Sequence, residues 1–160
     1  MMNVKLVCVG KLKEKFYADA CAEYAKRLGR YCKLDIAELP ESRLPQDPAP
    51  GEIDAALERE GEAIRAKLPP GYTVVALCVE GEGYSSPQLA RALARWAQTG
   101  SKGLAVVIGG SHGLHPSVKG LARLRLSMSP MTFPHHLARV MALEQLYRAF
   151  KIQEGSGYHK

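Results

Sequence analysis

Several things are missing from this chain, and each absence removes a class of protein. Cysteine is sparse: Cys8, Cys21, Cys32 and Cys78 stand apart, with no C-x-x-C pair among them. Neither a zinc site nor a disulfide framework is indicated, and the expectation is four reduced, packed thiols in a cytoplasmic protein. Long apolar runs are absent too, since nothing approaches the roughly 20 residues that span a bilayer. The run from Val4 to Val9 is broken by Lys5 and followed by Gly10 and a lysine cluster, which is not a secretory leader. Neither G-x-x-x-x-G-K-[ST] nor G-x-G-x-x-G occurs. A P-loop NTPase and a dinucleotide oxidoreductase are therefore disfavoured.

What remains is an alternation of strand and helix signals. With 160 residues, 46% of them hydrophobic, the chain fits one domain whose core needs no staples. Val4 to Val9 reads as a buried strand. From Glu14 to Arg30, Phe16, Ala20, Tyr24 and Leu28 recur at steps of four, a helical stripe ending at Gly29. Leu34 to Leu39 is a second strand, and Pro40 to Pro50, studded with prolines, is a surface loop. Glu52 to Leu68 carries its acids early and its bases late, with Ile53, Leu57, Ile64 and Leu68 on one side, as a helix should. Tyr72 to Val79 is the most β-like run and empties into Glu80-Gly81-Glu82-Gly83. Ser86 and Pro87 read as N-cap and N1 of a helix buried through Leu89, Leu93 and Trp96. Leu104 to Ile108 and a last helix, His135 to Ile152, follow. The pattern predicts an α/β fold, a parallel sheet covered on both faces, with ligands at the carboxyl ends of its strands.

The net charge of +6 is uneven: residues 1–33 and 119–160 each carry +5, and residues 34–118 carry −4. Basic ends around an acidic middle fit solvated helix faces, or a phosphate-facing surface where the two ends meet. Two loops could bind a ligand. Gly109-Gly110-Ser111-His112-Gly113 follows a strand directly, and glycines there allow close backbone approach. Ser127 to Pro134 offers Ser127, Ser129 and Thr132 hydroxyls with Met128, Met131 and Phe133 as apolar padding, which suits a purine and a ribose better than a pyrophosphate. His135 and His136 are adjacent at a helix start, point in different directions and lack a carboxylate, so metal is not expected. A Ser-His-Asp hydrolase is poorly supported. On the last helix, Val140, Leu143, Leu146, Tyr147 and Phe150 cover one face while Leu137, Met141 and Ile152 occupy another, which predicts burial against the sheet and against a second copy of the chain. Glu144 and Arg148 between those faces read as a structural pair. The tail ends in Tyr158-His159-Lys160, a ring, an imidazole and a cation that could stack on a base, exchange a proton and hold a phosphate.

These motifs together resemble one family. VVIGG-x-x-GL at 106 to 114, LSMSPMTFPHHLARV at 126 to 140, EQLYRA at 144 to 149 and the terminal Tyr-His-basic triplet are similar to the RlmH family of pseudouridine N3-methyltransferases, SPOUT-class enzymes of large-subunit (23S) ribosomal RNA. VKLVCVGKLK at the start, EGE at 60 to 62 and LCVEGEGYSSPQLA at 77 to 90 extend the resemblance over nearly the whole chain. It implies a single SPOUT methyltransferase domain over residues 1–160, with S-adenosylmethionine held in a C-terminal trefoil knot spanning about 104–152, and a homodimer formed through the last helix. Carried over by position, the cofactor contacts are Leu77, Gly109, Met128, Ser129, Pro130, Met131, Thr132 and Phe133. His159 and Tyr158 are implied at the reacting base, and Tyr158 and Lys160 on the RNA, in a tail of residues 153–160. The family usually ends in arginine where Lys160 stands, which keeps the charge but loses the bidentate fork. The resemblance implies large-subunit ribosomal RNA as the substrate, free or in the ribosome, and a domain this small with no separate RNA-binding module is expected to rely on the ribosome to present it. The competing reading is a non-catalytic ribosome- or RNA-binding module with a vestigial pocket.

Overall fold

The computed structural model describes residues 1–160. Ten elements follow in order: β1 (Met2–Val9), α1 (Lys15–Leu28), β2 (Cys32–Leu39), α2 (Pro50–Lys67), β3 (Tyr72–Gly83), α3 (Ser86–Gln98), β4 (Gly103–Ile108), α4 (Pro116–Lys119), β5 (Leu124–Ser127) and α5 (His135–Gln153). The strands form one sheet in the order β2-β1-β4-β3-β5, parallel at every pairing. The predicted α/β class and parallel sheet are what the chain adopts.

Side-chain alternation along each strand divides the core in two. Val4, Leu6 and Cys8 of β1, with Leu104, Val106 and Ile108 of β4, face α1, α3 and α5. Val7, Val9, Ala105 and Val107 face the other way, toward Ile64 of α2 and Val118 of α4. Residues 6–9 of β1 and 103–108 of β4 are buried on both faces, which is why those stretches read as unbroken apolar runs. The cysteines are free, three of them buried, and burial pushes the Cys8 thiol up to about 12. No helix is long and apolar enough to cross a membrane.

Three local expectations need correction. The inward line of α1 runs through Cys21 and Leu28, while Phe16 stays 65% exposed. Steps of four advance about 40° each at 3.6 residues per turn, so a stripe drawn back from Leu28 has left the buried face by Phe16. Helix α3 is capped one residue earlier than expected: the Ser85 hydroxyl accepts from the Gln88 N–H at 3.2 Å and the Ser85 N–H donates to the Gln88 side chain at 2.7 Å. That reciprocal box needs a Gln or Glu three residues on, which Ser85 has and Ser86 lacks. Strand β3 does not stop at Val79 but runs to Gly83, with a register shift against β5 between Leu77 and Glu82. At Gly81, within the shift, a Cβ would lie 2.5 Å from the Arg125 carbonyl oxygen, so the strands meet there only because the residue is glycine.

One charged side chain ties the sheet to the last helix. Arg139 of α5 is 2% exposed; one nitrogen pairs with Glu38 near the end of β2 and another donates to the Gly10 carbonyl at 2.8 Å. A buried guanidinium needs partners for its donors, and here Glu38 and the Gly10 carbonyl, from two other segments, serve both terminal nitrogens while Nε has none. Arg139→Ala is expected to lose about 3 kcal/mol of stability, measured as a lower urea midpoint at unchanged slope.

Candidate active site

Three segments converge beyond the carboxyl ends of β3, β4 and β5. They are Leu77–Glu80, Ile108–Leu114 and Leu126–Pro134, and together with His135 and Ala138 of α5 and Lys119 of α4 they line a cleft of about 760 Å³. Crevices at strand ends are where open parallel sheets bind ligands. The glycine loop forms its floor. Gly113 has φ +83° and its N–H returns to the Gly110 carbonyl at 3.1 Å, folding the loop on itself. At Gly109 a Cβ would sit 2.3 Å from the Gly113 carbonyl oxygen, so no side chain fits. The opposite wall, Met128 to Pro134, is braced internally: the Ser127 hydroxyl donates to the Ser129 carbonyl at 3.0 Å, and the Ser129 hydroxyl accepts from the Met131 N–H at 3.0 Å. Those two hydroxyls stiffen the loop, and of the two residues only Ser129 lines the cleft.

A family model described as "Predicted SPOUT methyltransferase" matches residues 2–159. The chain belongs to the SPOUT methyltransferase family. Among solved structures it is similar to "a probable methylase family protein from Haemophilus influenzae Rd KW20", at 14% identity and a TM-score of 0.54, covering 99% of this chain and 71% of that one. It also matches the SpoU methyltransferase AviRb from Streptomyces viridochromogenes at 14% identity and a TM-score of 0.47, over 97% of this chain and 61% of that one. At that identity the likeness to the Haemophilus influenzae structure is one of fold.

In this SPOUT methyltransferase the cleft gathers Leu77, Gly109, Met128, Ser129, Met131, Thr132 and Phe133. Pro130 is not on its wall, and Met131, 73% exposed, stands at its rim. The tail lies elsewhere. The Tyr158 hydroxyl donates to Glu144 at 3.2 Å, its ring packs on Tyr147 at 5.1 Å and under the Arg148 guanidinium at 4.7 Å, and Arg148 reaches His159 Nδ1 at 3.1 Å. A guanidinium only donates, so Nδ1 accepts and a neutral ring carries its proton on Nε2. As packed here, His159 presents a donor, and it can take a proton only once Arg148 is turned away. Lys160 follows as an exposed last residue. Glu144 and Arg148 pair at 2.7 Å, as expected of a structural couple, and that couple also seats the tail.

Sequence reasoning missed Glu41. It lies in the proline-rich loop, where Ser42 is pinned by its N–H to buried Glu60 at 2.7 Å, and its carboxylate accepts from the Ser111 N–H at 2.8 Å. A Cβ on Gly110 would come within 2.6 Å of the same carboxylate. Glu41 thus braces the glycine loop from behind; burial raises its pKa, but the Ser111 bonds and nearby His135 and His112 outweigh that and hold it below the usual range. The histidine pair also departs from expectation. The rings of His135 and His136 lie 4.1 Å apart, with Glu41 3.9 Å from His135 and Glu14 3.6 Å from His136. No group of three or more His, Cys, Asp or Glu is placed to hold a metal. Taken as letters, Gly109 to Gly113 also satisfies G-x-S-x-G, the elbow of serine hydrolases. That elbow turns from strand straight into helix, whereas here the chain doubles back through the Gly110–Gly113 bridge and Ser111 meets a carboxylate rather than an imidazole.

Two predictions follow from this geometry. SPOUT methyltransferases generally use S-adenosylmethionine, and Gly109→Ala is expected to weaken its binding by on the order of tenfold or more, by calorimetry on folded protein, because the loop must move to admit the methyl group. Burial, then His136 and Arg139, depress the His135 pKa below its ordinary 6.5 against the opposing pull of Glu41 and Glu14. The unfolded chain therefore takes up a proton that the fold resists, so the contribution is complete above that value and is lost as pH falls through it. The melting temperature is expected to drop between pH 7.5 and 5.5, and His135→Gln to flatten that dependence.

Proposed function

We propose that this methyltransferase methylates N3 of a pseudouridine in large-subunit ribosomal RNA, using S-adenosylmethionine, as a homodimer acting on the ribosome. The observation that carries the reading is the composition of the cleft: a glycine floor without a phosphate-gripping lysine in the loop, faced by Met128, Met131 and Phe133 among small hydroxyls. Such walls fit an adenosine and a methionine tail. The close approach at Gly109 and the volume of about 760 Å³ suit a ligand of that size. Leu77, Gly109 and the 128–133 loop would hold the donor. When bound, it supplies an electrophilic methyl on a positively charged sulfur, which leaves as a neutral thioether.

The chain's own residues then align the target and remove its imide proton, which must depart as the new N–C bond forms. His159 is the proposed proton acceptor, with Tyr158 beside it and Lys160 on a phosphate. Each requires the tail to leave the position it holds on α5. A second copy is the natural agent, because the surface that would meet it carries the tail and half-buried Leu137, Met141 and Ile152. The basic segments 1–33 and 119–160 favour a phosphate-rich target such as ribosomal RNA. The C-terminal knot implied by the family resemblance would wrap residues 104–152 around the cofactor.

A tritiated-methyl assay on large ribosomal subunits that lack the modification tests this. Label in the large-subunit RNA, at a pseudouridine, is the expected result; label in protein or lipid alone would sink the reading, and His159→Ala at full activity would remove the proton-accepting role.

A further inference from the structure

Beside the cleft lies a second hollow of about 420 Å³, between the start of α3 and the outer side of α5. The two cavities share Leu126 and Met128, so the partition between them is one side chain thick. Gln145 sits in the wall of the second. Its amide orientation follows from its neighbours, since the Ser86 hydroxyl lies 2.6 Å from the oxygen and can donate, while the Glu144 carboxylate lies 3.0 Å from the nitrogen and can only accept. Arg148 in turn holds Glu144 through contacts at 2.7 and 3.0 Å. Fixed at both ends, Gln145 retains one N–H and one oxygen lone pair without a partner. Tyr24 and Tyr84 add aromatic surface to the same hollow.

A fixed donor and acceptor beside aromatic rings suit a flat, neutral heterocycle carrying both N–H and C=O groups on one edge. A phosphate does not fit, because the one charged residue in the lining is Glu144. We infer that this hollow receives the target base, a uracil-type ring turned out of the RNA, with Gln145 reading its imide edge and Ser86 holding Gln145 in place. The inference rests on the RNA methyltransferase reading above. It gives the shared wall a role: Met128, unbranched and flexible, is the side chain that must shift for donor and acceptor to meet. The tail, anchored on Glu144, lies at the lip of this hollow rather than over the cofactor cleft.

Gln145→Leu and Ser86→Ala test it, each assayed with unmodified large ribosomal subunits and, separately, for S-adenosylmethionine binding by calorimetry. Loss of the edge contacts in Gln145→Leu is expected to lower kcat/KM for the subunits by about tenfold or more, with donor affinity within about twofold of the parent. Ser86→Ala, which leaves the amide in place but unanchored, should show a smaller loss of the same kind and guards against misfolding of the first variant. Unchanged kcat/KM in both overturns the base pocket alone. So does donor affinity falling in parallel, which would assign Gln145 to the cofactor cleft, or a changed oligomeric state, which would assign the hollow to a second copy. A parent enzyme that labels no RNA overturns the proposed function, and the pocket with it.

Discussion

The burial of one guanidinium organises this molecule. Arg139 is drawn out of water by the packing of α5 on the sheet, where Glu38 and the Gly10 carbonyl meet two of its three nitrogens and Nε is left without a partner. Those partners lie at the carboxyl ends of β2 and β1. The pairing therefore sets where the first turn of α5 stands relative to the strand ends. From that turn hang His135 on one side and the 128–134 loop on the other, so a wall of the cleft inherits its position from an ion pair that does not line it.

Around that anchor the cleft is assembled by successive braces. Glu60 holds Ser42, which aims Glu41 at the glycine loop, and Glu41 meets the Ser111 N–H. Gly61, one residue after that carboxylate, has a Cβ position only 3.3 Å from Val118, so α2 and α4 come close there. The proline-rich loop is thus a strut between α2 and the site. Rigid support of this kind places reacting groups without further ordering when ligand binds. The tail is the opposite case, held on α5 by an ion pair and aromatic contacts that can be exchanged for others.

Much of the fold was legible because the strands obey simple patterning. Buried parallel strands read as apolar runs, and the Pro and Gly residues between elements marked their ends. Errors arose where a pattern underdetermined its phase: four-residue steps drift around a helix, as Phe16 shows, and of two successive serines Ser86 was read as the cap of α3, whereas Gln88 selects Ser85. The extension of β3 through Glu80-Gly81-Glu82-Gly83 was illegible for a different reason, since it depends on β5 pairing again beyond a register shift.

By itself the sequence determined the parallel α/β class, the two loops that line the cleft and the SPOUT methyltransferase family, because local periodicity and short ordered motifs carry that information. Only the tertiary structure decided that Glu41 and Glu60, distant in sequence from the glycine loop, support it, that Tyr158 and His159 rest on Glu144 and Arg148, and that a second hollow adjoins the cleft. Each of these is a meeting of segments that lie far apart along the chain. Such meetings follow from how helices seat on a sheet, and no local pattern encodes them.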